Sequence, residues 1–107
     1  MALARIQVPG TAKRNEIITL RIAIQHVMET GFRYDNLGRA IPKNVVNTFV
    51  CRYNGVDVFR AELGSGIAAN PYLEFHVRAV ESGELVFEWV DDAGERGVER
   101  AVITVTA

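Results

Sequence analysis

Apolar residues in this chain recur at every second position, again and again. Ile18, Leu20, Ile22 and Ile24 share one side, with Thr19, Arg21, Ala23 and Gln25 opposite. Phe49, Cys51 and Tyr53 repeat the pattern, as do Leu73, Phe75, Val77 and Ala79. So do Leu85, Phe87 and Trp89, and then Ala101, Ile103 and Val105. A two-residue period buries one face of a β-strand and turns the other toward water. No stretch of ten residues carries a helical period. With the Arg5–Val8 and Val56–Leu63 runs, the count is about seven strands, the number expected of an immunoglobulin-like sandwich. Asn54-Gly55 predicts a tight hairpin, because a type I′ turn needs positive φ at both central residues. Ser82-Gly83 and Asp92-Ala93-Gly94 punctuate the next strands in the same way. The expectation is all-β: one immunoglobulin-like antiparallel β-sandwich domain over residues 1–107, without repeats or linkers.

The 107 residues carry 12 Lys+Arg against 13 Asp+Glu, a net charge of −1. That balance argues against nucleic acid, whose binders show a basic patch or stripe. Apolar runs of a few residues fall far short of the ~18 needed to span a bilayer, so no membrane partner is expected. The start, Met1 to Pro9, has no continuous apolar core of a signal peptide, which read alone points to the cytoplasm.

The chemistry-bearing residues are sparse. Cys51, the single cysteine, shares parity with Phe49 and Tyr53 and is expected to be buried and inert. His26, His76 and Glu29 would make a two-His, one-carboxylate metal site, but without paired ligand spacing the signal is weak. Asp91 and Asp92 read as turn chemistry ahead of Gly94. No motif assembles a nucleophile, a base and an oxyanion hole. The expectation is therefore no catalytic residue, no cofactor, no metal and no enzyme; the alternatives are a small metal-binding sandwich or a generic immunoglobulin-like interaction module.

Two connections are long. Val27 to Lys43 shows no alternation and carries Met28, Glu29, Thr30, Arg33, Asp35 and Arg39. Gly64 to Pro71 is rich in small residues and ends in Asn70-Pro71. Long ordered loops in compact domains are often functional. Valines also stand at the wrong parity. With Phe49, Leu85, Phe87, Trp89 and Ile103 inward, Val46, Val50, Val86, Val90 and Val102 point outward. Adjacent strands would join them into an apolar partner face. The Val56–Leu63 run is apolar on both faces, which suggests a central or covered strand.

The segment from Ile24 to Arg33, followed by Asp35, resembles the SoxZ family, the Z subunit of the bacterial SoxYZ sulfur-carrier complex. So do Ile41 to Gly55, Phe59 to Leu63, Ala68 to Tyr72, and Trp89 with Asp91-Asp92. Val27 departs from the pattern, standing where proline is common, and implies a looser loop entry. The resemblance implies a non-catalytic, immunoglobulin-like subunit that forms a heterodimer with a SoxY-like subunit. The Y subunit would hold sulfur intermediates on a cysteine in a C-terminal Gly-Gly-Cys-Gly-Gly arm during thiosulfate oxidation. This sequence ends in Val102-Ile-Thr-Val-Thr-Ala107 without such an arm, so it is expected not to be the covalent carrier. It would help present the cargo in transient contacts with other Sox enzymes. The resemblance also implies the periplasm, with export alongside the Y subunit. On that reading Val46, Val50, Val86, Val90 and Val102 form the partner interface. Met28, Glu29, Thr30, Arg33, Asp35, Asn70 and Pro71 flank the carrier arm or docking enzymes. Arg33 and Arg39 would attract anionic conjugates, and the isolated chain would pair with itself through the bare valine face.

Overall fold

A computed structural model describes residues 3–107 except Ser65 and Ala68. Eight strands form: β1 (Leu3–Gln7), β2 (Thr11–Lys13), β3 (Ile17–Gln25), β4 (Val46–Tyr53), β5 (Val56–Glu62), β6 (Tyr72–Arg78), β7 (Gly83–Asp91) and β8 (Arg96–Thr106). They make a three-stranded sheet, β1-β3-β6, and a five-stranded sheet, β2-β8-β7-β4-β5. This is the expected immunoglobulin-like β-sandwich. The additional strand is β2, three residues running parallel to β8, too short for alternation to announce it.

The alternation explains the core. Ile18, Leu20, Ile22 and Ile24 of β3 meet Phe49, Cys51, Leu85, Phe87 and Ile103 of the other sheet, all buried. Four phenylalanines close the gap between the sheets. Phe59 on β5 stacks on Phe75 on β6, with ring centroids 4.2 Å apart and planes within 7°. Phe49 packs edge-on to Phe75 at 5.9 Å. Such ring pairs add roughly 0.5–1.5 kcal/mol each beyond their buried area.

Both turn residues of Asn54-Gly55 have positive φ, +49° and +82°, as a type I′ hairpin between β4 and β5 requires. Ser82-Gly83 lies between β6 and β7, which belong to different sheets, so it serves a crossover rather than a hairpin. Gly83 is needed there because a Cβ would sit 1.8 Å from Asn54 Oδ1, the atom that accepts the Glu84 amide at 3.0 Å.

Two expectations are corrected. Strand β5 is an edge strand, neither central nor covered, with Val56 and Val58 exposed to water. Val46 does not face outward. Between β4 and β7, Val46 pairs with Asp91 and Thr48 with Val90, so Asn47 is an extra residue in the ladder. This bulge reverses parity and sends Val46 into the core, fully buried.

Gly97 of β8 lies opposite Trp89 of β7, and a Cβ there would come within 2.1 Å of the indole. Gly97→Ala is therefore expected to cost about 1–3 kcal/mol through overpacking, read as a lower urea midpoint. Gly10→Ala, where a Cβ meets nothing within 4 Å, should leave the midpoint almost unchanged.

Candidate functional site

One end of the sandwich is tied by a polar knot. Its centre is Asp91, a buried carboxylate at the end of β7. Asp91 Oδ1 accepts the Ala93 and Glu95 amides at 3.0 and 2.9 Å, closing the turn into β8. Asp91 Oδ2 lies 3.0 Å from His26 Nε2, just beyond β3 of the opposite sheet. His26 Nδ1 accepts the Met28 amide at 2.9 Å, so the ring proton sits on Nε2 and is donated to Asp91. Burial raises the Asp91 carboxyl, but hydrogen bonds from His26 and from the Glu95 and Ala93 amides outweigh it, and the group is held below its ordinary value.

Asp92 extends the knot. It accepts the Asn47 side-chain amide at 2.9 Å and the Val45 amide at 3.2 Å, which hold its carboxyl low. Asn70 locks the other long connection to the same place: its Oδ1 accepts the His26 amide and its own amide donates to the His26 carbonyl. Pro71 is buried beside it, its carbonyl accepting the Ile24 amide. Asn70 and Pro71 are thus structural ties next to the first loop. Of the small-residue stretch before them, Ser65 and Ala68 lie outside the described residues.

From this knot the 27–44 segment leaves as a two-limbed arm. Its limbs are paired at Glu29–Asn44 and Tyr34–Ala40. Met28 anchors the base. It is buried, its Sδ accepts the Val46 amide at 3.2 Å, and its φ is +54°, a left-handed conformation that a methionine rarely adopts. Met28 therefore faces the core and is not on a partner surface. Thr30 Oγ1 accepts the Phe32 amide at 3.3 Å. Glu29 grips Arg33 with both carboxylate oxygens, at 2.6 and 3.1 Å, and the guanidinium holds the Glu29 carboxyl below its usual range. Asp35 Oδ1 accepts the Leu37 and Arg39 amides, both at 2.9 Å, and Oδ2 pairs with Arg39 Nε at 3.1 Å. Arg33 and Arg39 are each neutralised by a carboxylate four residues away, which weakens their expected pull on anions. Besides these paired arginines, the outer part of the arm exposes three large apolar side chains: Phe32 at 84%, Leu37 at 75% and Tyr34 at 68%. The sequence does not single out these three, because the arm has no alternation to set an apolar residue apart.

The outer face of the five-stranded sheet is a chequerboard. Across β5, β4, β7 and β8 one row reads Arg60, Val50, Glu88, Val98, and the next Asp57, Arg52, Val86, Arg100. Val50 does point to this face, yet only 6% of it is exposed. Its cross-strand neighbours Arg60 and Glu88 are long side chains, whose stems cover apolar surface. Arg52 is ion-paired with Glu88 and, at 3.0 Å, with Asp57. Val86 and Val90 are half-buried, Val98 is exposed, and Val102 is 71% exposed. The valine face exists, but Val46 is absent from it and Val50 is its floor.

The remaining candidates separate. His76 lies on the outer face of the three-stranded sheet, opposite Thr19, and is not brought to His26. Glu29 is engaged by Arg33. Among the described residues no group of three His, Cys, Asp or Glu is placed to hold a metal ion. Cys51 is fully buried, and burial pushes its thiol up to about 12, which leaves it unreactive at neutral pH.

A family model described as sulphur oxidation protein SoxZ matches residues 6–102. The chain belongs to the SoxZ family. With that membership comes a class of function, a subunit of the Sox sulfur-oxidation carrier. No protein of curated function matches the sequence. Among solved structures, an Ignicoccus hospitalis superoxide reductase (neelaredoxin) variant is similar, with a TM-score of 0.75 and 17% identity, over 95% of this chain and 78% of that one. A putative superoxide reductase from Thermotoga maritima has a TM-score of 0.73 and 14% identity, over 97% and 86%. The sulfur carrier protein SoxY from Chlorobium limicola f thiosulfatophilum has a TM-score of 0.65 and 12% identity, over 97% and 79%. At these identities the structures share the fold and no more.

The SoxZ chain's knot carries a pH dependence with a defined sign. Asp91 has a lower pKa folded than unfolded, so its contribution is present above the unfolded value, about 3.9, and is lost as pH falls through the folded value. In that acid window the melting temperature of Asp91→Asn should fall less steeply with pH than that of the wild type. Thermal melts followed by circular dichroism would measure this. Equal slopes would show that the carboxylate does not anchor this end.

Proposed function

We propose that this chain is the non-catalytic partner of a SoxY-like subunit, forming a one-to-one heterodimer in the periplasm. In this reading the Y subunit holds sulfur intermediates of thiosulfate oxidation on its own cysteine, and the present chain helps offer them to other Sox enzymes. The observation that carries the proposal is the SoxZ match over residues 6–102. The state of Cys51 supports it. A covalent sulfur carrier needs an accessible thiolate, and Cys51 is buried with its thiol pushed up to about 12. The cargo-bearing cysteine is accordingly assigned to the partner.

The valine face is the proposed seat of that partner. Val86, Val90, Val98 and Val102 present methyl groups between charged residues that are largely paired across the sheet, as in Arg52–Glu88 and Arg100–Glu84 at 3.2 Å. Docking there buries apolar surface without stranding these charges. The 1:1 stoichiometry is tested by native mass spectrometry of the complex isolated from the periplasm, with the added sulfur mass on the partner. Cys51→Ser should leave that loading unchanged; loss of loading would overturn the assignment of the thiol. Val90→Asp with Val102→Asp should weaken the heterodimer at least tenfold, since a buried unpaired carboxylate costs well over 1.4 kcal/mol.

A further inference from the structure

The 27–44 arm carries a second docking element, distinct from the valine face. Its backbone is fixed before any partner arrives. Asp35 Oδ1 caps the tip through two amides, the Asp35 amide donates to the Arg39 carbonyl at 2.8 Å, and Gly38 turns the chain with φ +76°. Its charges are satisfied internally by Glu29–Arg33 and Asp35–Arg39, and Lys43 lies 3.9 Å from Asp92 at the base. No uncompensated charge remains on the tip for an anionic polymer or a charged lipid surface to recognise. Phe32, Tyr34 and Leu37 remain, exposed by 84, 68 and 75%. None of the three belongs to the core. Together they present on the order of 400 Å².

That area is informative beside the valine face. A stable pair needs about 800 Å² per partner, and the exposed apolar residues of the face are few, with Val50 already buried and Val86 and Val90 half-covered. The arm springs from the ends of β3 and β4, and Thr48 and Val90 end the face on that same side of the sheet, so the arm leaves the sandwich at the end where the face stops. A ready-made apolar hook loses little freedom on binding, and aromatic anchors dominate protein interfaces. We infer that Phe32, Tyr34 and Leu37 insert into an uncharged apolar cleft of the same SoxY-like subunit that sits on the valine face. The inference rests on the pairing proposed above and names the contact that makes the pairing tight.

The test is titration of the purified SoxY-like subunit with the full chain, followed by the same titration with Phe32→Ser/Tyr34→Ser/Leu37→Ser. These side chains lie outside the core, so the variant should keep the wild-type melting temperature and lose affinity by roughly a hundredfold. Footprinting of the wild-type complex by hydroxyl radicals gives an independent reading, with protection of Phe32, Tyr34 and Leu37 expected on binding. Equal affinity of variant and wild type, or no protection, would overturn the inference while leaving the heterodimer standing. Absence of any wild-type complex would bring down the pairing itself and the arm's role with it. Cosedimentation of the wild type with phosphatidylglycerol–phosphatidylethanolamine vesicles, abolished in the triple variant whose subunit affinity is intact, would reassign the tip to a membrane surface and overturn it as well.

Discussion

The buried carboxylate of Asp91 is the point on which the arm-bearing end of this molecule depends. Taking a carboxylate out of water is costly, and it persists only when its oxygens are satisfied by donors. Here one donor comes from His26, beyond β3, and two from the turn into β8. The same group therefore joins the two sheets and closes a hairpin. Through His26 Nδ1 it also fixes the Met28 amide, where the chain takes up a left-handed conformation and the arm begins. A ribbon of two short limbs has little stability of its own in water. The arm is ordered because its base is held by Asp91, Asp92 and Asn44 and its tip by Asp35.

The opposite end is held by weaker means of the same kind. Tyr53 of β4 donates its hydroxyl to the Glu81 carbonyl and accepts the Glu81 amide at 3.1 Å, joining the five-stranded sheet to the crossover from the other sheet. Between the two polar ends lies an apolar core built by alternation. The outer face of the five-stranded sheet follows a different rule, with valines as floor and paired charges as cover. That arrangement tolerates solvent when the face is free, because every row carries charged groups. In the proposed pairing it also offers a partner valine methyls set between the Arg52–Glu88 and Arg100–Glu84 pairs.

Much of this was legible from periodicity because the responsible interactions are local. The β3 stripe, the Phe49–Cys51–Tyr53 face and the Asn54-Gly55 turn each follow from a few neighbouring residues, and the structure agrees with all three. Val46 escapes the parity rule because strand parity holds only until a residue is inserted. Asn47 is extra only relative to Asp91 and Val90, forty-odd positions away, and nothing near it in sequence marks the bulge. The same holds for His26 and Asp91, whose pairing turns a weak metal candidate into a structural tie. Val50 was placed on the correct face, but its burial depends on Arg60 and Glu88, which neighbour it only across the ladder. Phe32, Tyr34 and Leu37 are not legible in the sequence because exposure, not identity, distinguishes them, and exposure is a property of the folded chain.

The sandwich is shared with superoxide reductases and with a SoxY sulfur carrier, so architecture does not decide among these activities. Side chains do. A histidine available to a metal needs a free ring nitrogen, and both nitrogens of His26 are committed, one to Asp91 and one to the Met28 amide. A thiol available to sulfur chemistry needs exposure and a low pKa, and Cys51 has neither. His26 and Cys51 are thus both spent on holding the fold, while the arm tip and the valine face keep apolar side chains turned outward. Outward apolar surfaces of this kind suit the proposed role of companion subunit to a carrier. In the proposed pairing with a SoxY-like subunit, the reactive thiol and the surface that positions it sit on separate chains, each free of the other's constraints: mobility for the cargo-bearing residue, rigidity for the platform beside it.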